Sequence, residues 1–226
     1  MEYVVLMYAF FREGRLGNIV VTKPYAPGHE ASGVIMEVGK KVTNFVNGDF
    51  VVIEPGIPCS HCTYCYKGRY NLCPKDIFLS APPINGTFCD YINILYYNVH
   101  KIPKNLSFQK ATFTEPAAVA VYAINRDGVM SGLTAVIIGA GPIGLLTLQA
   151  FKAAGGIKVT CIDILENRLN ITSKLGADET LLAKNNKDLY NTADVVFETA
   201  GNVKATQSMF NRVNSDIRRQ AGLCNM

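Results

Sequence analysis

The groups in this chain best suited to chemistry are thiols. Cys59, Cys62, Cys65 and Cys73 follow the spacing C-x2-C-x2-C-x7-C within PCSHCTYCYKGRYNLCP. Thiolates this close on one loop can fill the tetrahedral sphere of a zinc ion. Pro58, Gly68 and Pro74 suit a tight, irregular loop. Four protein ligands leave no position for a substrate, so such a zinc is structural. Unrelated free thiols would not cluster in this way, and a redox C-x2-C pair would sit beside a βαβ pattern that is missing here. His61 lies inside the loop, where four thiolates already suffice, and is expected to be exposed.

A second set of metal-ligand types is Gly28-His29-Glu30, at the head of GHEASGVIMEVGKKV. Adjacent His and Glu can turn toward one metal if the backbone bends, and Gly28 permits a bend. Imidazole and carboxylate with an open position are ligands of catalytic zinc. Alone, the pair reads equally well as an ordinary core or surface histidine beside an acid.

A third group is Gly139-Ala140-Gly141-Pro142-Ile143-Gly144, a G-x-G-x-x-G sequence. It follows the strand-like TAVII and opens the helix-like LLTLQAFKA, and Asp163 ends the next strand-like run. In this context Gly139 makes the tight turn, Gly141 lets the backbone approach a pyrophosphate, and Gly144 allows close helix–strand packing. N–H groups at the helix start then meet the phosphates. Asp163 can accept from a ribose diol and repels a 2′-phosphate, which favours NAD over NADP.

The elements that must hold these groups change character near residue 118. Residues 1–118 carry short β-type runs broken by Gly and Pro, among them GVIMEVG, GDFVVIEPG and FCDYINILYYNVHKIP, and read as an irregular β domain with a cysteine lobe over 59–73. Residues 119–226 alternate strand and helix: TAVIIGAG, PIGLLTLQAFKAAGG, KVTCIDI, NRLNITSKLGAD and TADVVFETAG. That alternation predicts a parallel α/β sheet. A further helix is expected over 202–212, while the remainder, NSDIRRQAGLCNM, supplies no strand. A doubly wound sheet normally has about six strands, so this one is expected to stop part-way.

Bulk properties bound the function. The 226 residues are 49% apolar and 18% charged, enough to bury a core. A net charge of +4 gives no reason to invoke nucleic acid. The opening MEYVVLMYAFF is short, lacks a basic start and carries Glu2, so it does not read as a signal peptide. No apolar run reaches the roughly 18 residues of a membrane span. The expectation is a cytoplasmic protein without membrane partners.

Taken together, Gly28, His29, Glu30, Gly33, Gly39 and Val42, followed by the cysteine lobe, resemble the signature of zinc-containing medium-chain alcohol dehydrogenases. IEPGIPC, GRYNLCP and APPINGTF look most like the sorbitol and xylitol dehydrogenase branch, and FTEPAAVAVYAI resembles the segment that carries a second zinc-site glutamate, here Glu115. The resemblance implies a GroES-like β domain followed by an incomplete Rossmann domain. It also implies NAD as cofactor, zinc at a structural and a catalytic site, and His29, Glu30 and Glu115 around the catalytic ion. Zinc would act as a Lewis acid on a polyol hydroxyl while hydride passes to the nicotinamide. Arg168 would lie against the adenosine. Phe10 and Phe11 fall where the branch lines its substrate cleft with aromatics, or are core residues.

Two positions depart from the family. The zinc cysteine falls on Val4, and the hydroxyl residue that relays the substrate proton falls on Leu6. An isopropyl group cannot replace a thiolate, so the catalytic site is expected to lack one strong ligand. The resemblance runs from about residue 8 to about residue 206, which implies a chain truncated at both ends, without the strand through which the family forms dimers or tetramers. The alternative function is a non-catalytic paralogue that keeps the structural zinc and weak nucleotide binding. A zinc-free quinone reductase is disfavoured by the lobe and by Gly28-His29-Glu30.

Overall fold

The computed structural model describes residues 10–126, 131–185, 193–209 and 220–223. The chain divides into two compact units, Met1–Glu115 and Pro116–Met226. In the first, β1 (Arg15–Leu16) and β2 (Ile19–Val20) form a small antiparallel pair. They are followed by β3 (Ser32–Val34), β4 (Phe50–Ile53), β5 (Gly56–Ile57), β6 (Ile77–Phe78) and β7 (Val99–Lys101). A three-stranded antiparallel sheet has the order β3-β4-β7, and β5 pairs with β6 across the base of the cysteine loop.

These strands are much shorter than the apolar runs that announce them. GVIMEVG is strand only at its start, and FCDYINILYYNVHKIP only over Val99–Lys101. The physical reason is that burial does not require a ladder. Phe45, Val51 and Val99 form the buried cluster, and Ile35, Val38, Val42 and Ile94 pack against it from non-strand backbone.

The second unit alternates as expected. In chain order it contains β8 (Thr134–Ile138), the helix Pro142–Ala153, β9 (Lys158–Asp163), the helix Glu166–Lys174 and β10 (Glu179–Leu182). After these come β11 (Val195–Glu198), the helix Val203–Met209 and β12 (Gln220–Leu223). The strands form one parallel sheet in the order β10-β9-β8-β11-β12. β8, β9 and β11 are buried almost throughout, as strands covered on both faces must be. Phe151, Leu148, Ile137, Val159 and Phe197 form one core, and Val136, Ile138, Ile162 and Val196 the other. Strand order reverses at β8, which places the glycine turn after β8 at the switch point where open α/β sheets take ligands.

β12 corrects the expectation for the tail. Gln220–Leu223 pairs in parallel with β11, Val195 opposite Gln220 and Glu198 opposite Leu223. Gln-Ala-Gly-Leu carries little intrinsic strand preference. An unpaired edge of β11 supplies N–H and C=O partners, and such tertiary pairing overrides propensity. β10 was not anticipated either, because Glu-Thr-Leu-Leu is short and half polar. The described part of the predicted 202–212 helix is Val203–Met209.

Phe151 is fully buried, meets Phe197 edge-to-face at 6.1 Å, and leaves no room for a side chain at Gly156. Phe151→Ala is expected to lower unfolding stability by about 3–5 kcal/mol. Urea denaturation followed by circular dichroism measures this, and a loss below about 1 kcal/mol would contradict the packing described.

Candidate metal centres and nucleotide cradle

The cysteine lobe is built from very little regular structure: one helical turn at Thr63–Tyr66, a 3-10 turn at Tyr70–Leu72, and the β5–β6 pair. The four sulfurs nevertheless lie within 4.8 Å of one another. Cys62 Sγ is 3.4 Å from Cys65 Sγ and 3.9 Å from Cys73 Sγ, and the Cys59 N–H donates to Cys73 Sγ at 3.4 Å. The backbone N–H of His61 holds the Cys59 thiol down to about 6, helped by hydrogen bonds from Cys73 and Cys62. Burial pushes the Cys65 thiol up to about 11, and its bond with Cys62 adds to the effect. Cys59 thus gives up its proton more readily than Cys65, whose thiolate burial disfavours. A dication offsets that cost by holding several thiolates together. His61 is exposed, as expected, and its Nδ1 meets the Cys59 carbonyl.

The second cluster comprises His29, Glu30 and Glu115, whose ligand atoms also lie within 4.8 Å of one another. All three belong to the first unit, with Glu115 in the first turn of the helix Thr114–Arg126. Gly28 sets the approach. Its φ is +100°, and a Cβ there would stand 2.5 Å from the Phe88 ring and 2.9 Å from Thr87 Oγ1. Its N–H donates to Ser80 Oγ at 3.0 Å, and its carbonyl accepts from the Thr87 N–H at 2.8 Å. The bend is therefore clamped on both sides, and His29 is carried into the interior with only 4% of its surface exposed.

Within this cluster the His29 ring packs against Phe78 at 5.4 Å, yet its Nδ1 is buried without a hydrogen-bond partner. Buried nitrogens are almost always paired, so a ring with an orphaned nitrogen, gathered with two carboxylates, fits a cation-binding residue. Burial lowers the His29 pKa and raises that of Glu30. Glu115 is pushed up to about 7, by burial first and then by the charge of Glu30. A neutral imidazole and two carboxylates are donors that zinc accepts, with a position left open. Val4 and Leu6, where the resemblance puts a thiolate and a hydroxyl, lie outside the described residues. Phe10 is buried and meets Tyr25 edge-to-face at 6.3 Å, while Phe11 is 85% exposed.

The nucleotide cradle belongs to the second unit. Gly141 precedes the helix Pro142–Ala153 as its N-cap, and Pro142 occupies the first turn, where its missing N–H costs nothing. Gly139 has φ +106°. A Cβ at Gly144 would lie 1.9 Å from the Gly139 carbonyl oxygen, so only glycine allows the helix to sit on the turn. A Cβ at Gly141, by contrast, would meet nothing within 4 Å. Ile143 is half-buried within the first helical turn, and its carbonyl accepts from the Thr147 hydroxyl at 2.8 Å.

Asp163 is 6% exposed at the end of β9. One of its oxygens accepts from the Ala140 N–H at 2.7 Å and the other from the Leu165 N–H at 2.9 Å. Arg168 stands 3.7 Å from the first oxygen and is half exposed. A carboxylate has about four acceptor sites, so capacity for a diol remains. Sequence reasoning missed Ser80, Thr87 and Thr199. Each acts on a glycine segment distant in sequence, and no local pattern marks such a contact.

The raised Glu115 pKa has a thermodynamic consequence. Folding of the metal-free protein takes up protons between the ordinary value of 4.5 and about 7. Stability is therefore expected to fall as pH rises through that window and to level off above it. Glu30, shifted in the same direction, adds to the slope. Urea unfolding in chelator across this range should show the slope, and Glu115→Gln should flatten it.

Comparison with known proteins agrees with this geometry. Residues 6–104 match the model of the alcohol dehydrogenase GroES-like domain, and residues 142–216 that of the zinc-binding dehydrogenase. Sorbitol dehydrogenase of Bacillus subtilis (strain 168) is 40% identical over 207 residues, 88% of this chain and 59% of that protein. D-xylulose reductase A of Aspergillus oryzae is 37% identical over 204 residues, 85% of this chain and 57% of that protein. The solved structure of L-idonate 5-dehydrogenase from Escherichia coli matches with a TM-score of 0.89 at 26% identity, covering 97% of this chain and 65% of that one. The chain spans less than two thirds of the length of the curated relatives it matches. With its irregular β unit carrying two metal-ligand clusters and its parallel sheet carrying the glycine turn, the chain belongs to the zinc-containing medium-chain alcohol dehydrogenase family.

Proposed function

We propose that this chain carries the metal sites and nucleotide cradle of an NAD-dependent zinc polyol dehydrogenase acting on a sorbitol- or xylitol-like substrate. The observation that supports it most is the gathering of Glu30 and Glu115 with the buried His29, whose Nδ1 has no partner. The relatives named sorbitol dehydrogenase and D-xylulose reductase point to the substrate class. In this reading residues 1–118 hold both metals, with Cys59, Cys62, Cys65 and Cys73 around a structural zinc. Residues 119–226 hold NAD. No described helix is long and apolar enough to cross a membrane, and a cytoplasmic location accords with this.

Bound zinc supplies Lewis acidity that makes a substrate hydroxyl more acidic, and NAD supplies the hydride acceptor. The chain's own residues do the rest. His29 offers a neutral nitrogen because burial disfavours its cation. Glu30 and Glu115 bring negative charge into a desolvated place where a dication needs it. At the cradle, Gly139, Gly141, Pro142, Ile143 and Gly144 shape the pyrophosphate turn. Asp163 selects the ribose diol, and Arg168 lies beside it for the adenosine.

A second reading is favoured by one observation: Val4, not a cysteine, stands where the resemblance puts the zinc thiolate. In that reading the chain keeps the lobe zinc and nucleotide binding but does not oxidise polyols. Metal analysis of purified chain separates the two, with two zincs expected for the enzyme and one for the alternative. For the enzyme, His29→Ala should release one zinc and abolish NAD-linked sorbitol or xylitol oxidation. Asp163→Ala should raise the KM for NAD roughly tenfold and leave that for NADP nearly unchanged. Wild-type chain with one zinc and no polyol oxidation would overturn the first reading.

A further inference from the structure

A carboxylate that neither metal cluster nor cofactor motif uses lies at the end of β11. Glu198 is fully buried and stands opposite Ile138, the last residue of β8. Its Oε1 accepts from the Ala200 N–H at 2.8 Å and the Gly201 N–H at 3.0 Å, and its Oε2 accepts from the Thr206 hydroxyl at 3.4 Å. Burying a carboxylate is costly, and the three preceding residues, Val195, Val196 and Phe197, show that this strand otherwise fills its place with apolar groups. What the carboxylate adds is a tether on the turn Thr199–Gly201, in which Gly201 has φ +62°.

That turn presents Thr199 to the glycine motif. The Thr199 N–H donates to the Ile138 carbonyl at 2.8 Å. Its hydroxyl lies 2.8 Å from the Gly139 carbonyl oxygen and 3.1 Å from that of Ile138. The same hydroxyl would stand 2.8 Å from a Cβ at Gly139 and 2.9 Å from one at Gly144, so it abuts both glycines. A continuous set of contacts therefore runs from Glu198 through the turn to Thr199, the Gly139 carbonyl and the helix start at Gly144.

We infer that Glu198 is a positioning residue for the dinucleotide. Its carboxylate holds Thr199 where the hydroxyl fixes the glycine turn in the shape that receives a pyrophosphate. This rests on the nucleotide reading above. The effect is greatest at the phosphate end of the cradle, because Asp163, which accepts from Ala140 within the turn, is also held from outside it by the Leu165 N–H.

The test compares wild type with Glu198→Leu, which keeps the buried bulk but cannot accept a hydrogen bond, and with Thr199→Val and Thr199→Ser. Calorimetry with NADH and with adenosine should show NADH binding weakened roughly tenfold in Glu198→Leu and Thr199→Val, with adenosine binding much less affected. Thr199→Ser keeps the hydroxyl and should bind NADH like wild type. A general loss of structure would weaken both ligands equally, and that result, or an unchanged NADH affinity, overturns the proposal. Hydrogen exchange without nucleotide gives the second arm. The amides of residues 139–141 and 143–145 should exchange roughly tenfold faster in Glu198→Leu, and those of β9 should not. Unchanged exchange at the turn overturns the positioning role. Wild-type chain that binds no NADH instead defeats the dinucleotide reading, and the exchange arm still decides whether Glu198 shapes the turn. If Glu198→Leu does not fold, Thr199→Val decides between the same outcomes.

Discussion

Two carboxylates and an imidazole drawn within a few ångströms of one another, largely away from water, form an arrangement in which charge is costly. Either protons or a cation must settle it. In the protein alone protons do: burial first, and then the charge of Glu30, pushes Glu115 up to about 7, and burial disfavours the His29 cation. The clamp on Gly28 forces the cluster to exist despite that cost. Ser80 and Thr87 hold the backbone, Phe78 and Phe88 close around it, and His29 is left with a buried nitrogen that nothing in its surroundings satisfies. A local structure this unfavourable persists only because the surrounding packing over-determines it, a pattern common at ligand sites.

The cysteine lobe meets the same constraint with softer atoms. Its sulfurs are assembled on turns too short to be stable by themselves, and backbone N–H groups from within the loop already direct charge toward Cys59. The two clusters differ in accessibility as well as in chemistry. Four thiolates would close the sphere of a metal ion, whereas His29, Glu30 and Glu115 would leave one of its positions open. Both belong to the unit in which regular structure is sparse, and both depend on loop backbone held by side chains and by strand pairs of two or three residues.

The second unit reaches its purpose by the opposite route, through regularity. Five parallel strands fix where the chain leaves β8, and close approach at Gly144 fixes how the next helix begins. The resulting cradle has one open side. A side chain at Gly141 would meet open space, while one at Gly139 or Gly144 would strike Thr199. The difference separates glycines required by the protein's own packing from one whose small size serves whatever approaches from outside.

Much of this was legible in the residues. The cysteine spacing, the strand–glycine–helix sequence ending in Asp163, and the passage from β-type runs to α/β alternation are local patterns, set by covalent spacing and by periodicities that one stretch of chain carries on its own. The extent of β3 and β7, the pairing of β12 with β11, and the roles of Ser80, Thr199 and Glu198 were not legible. Each depends on groups brought together from distant parts of the chain. The orphaned nitrogen of His29 is of the same kind. Its residue type marks it as a possible ligand, but only the packed interior decides that it is buried, neutral and unpaired, because desolvation is a property of the surroundings and not of the residue.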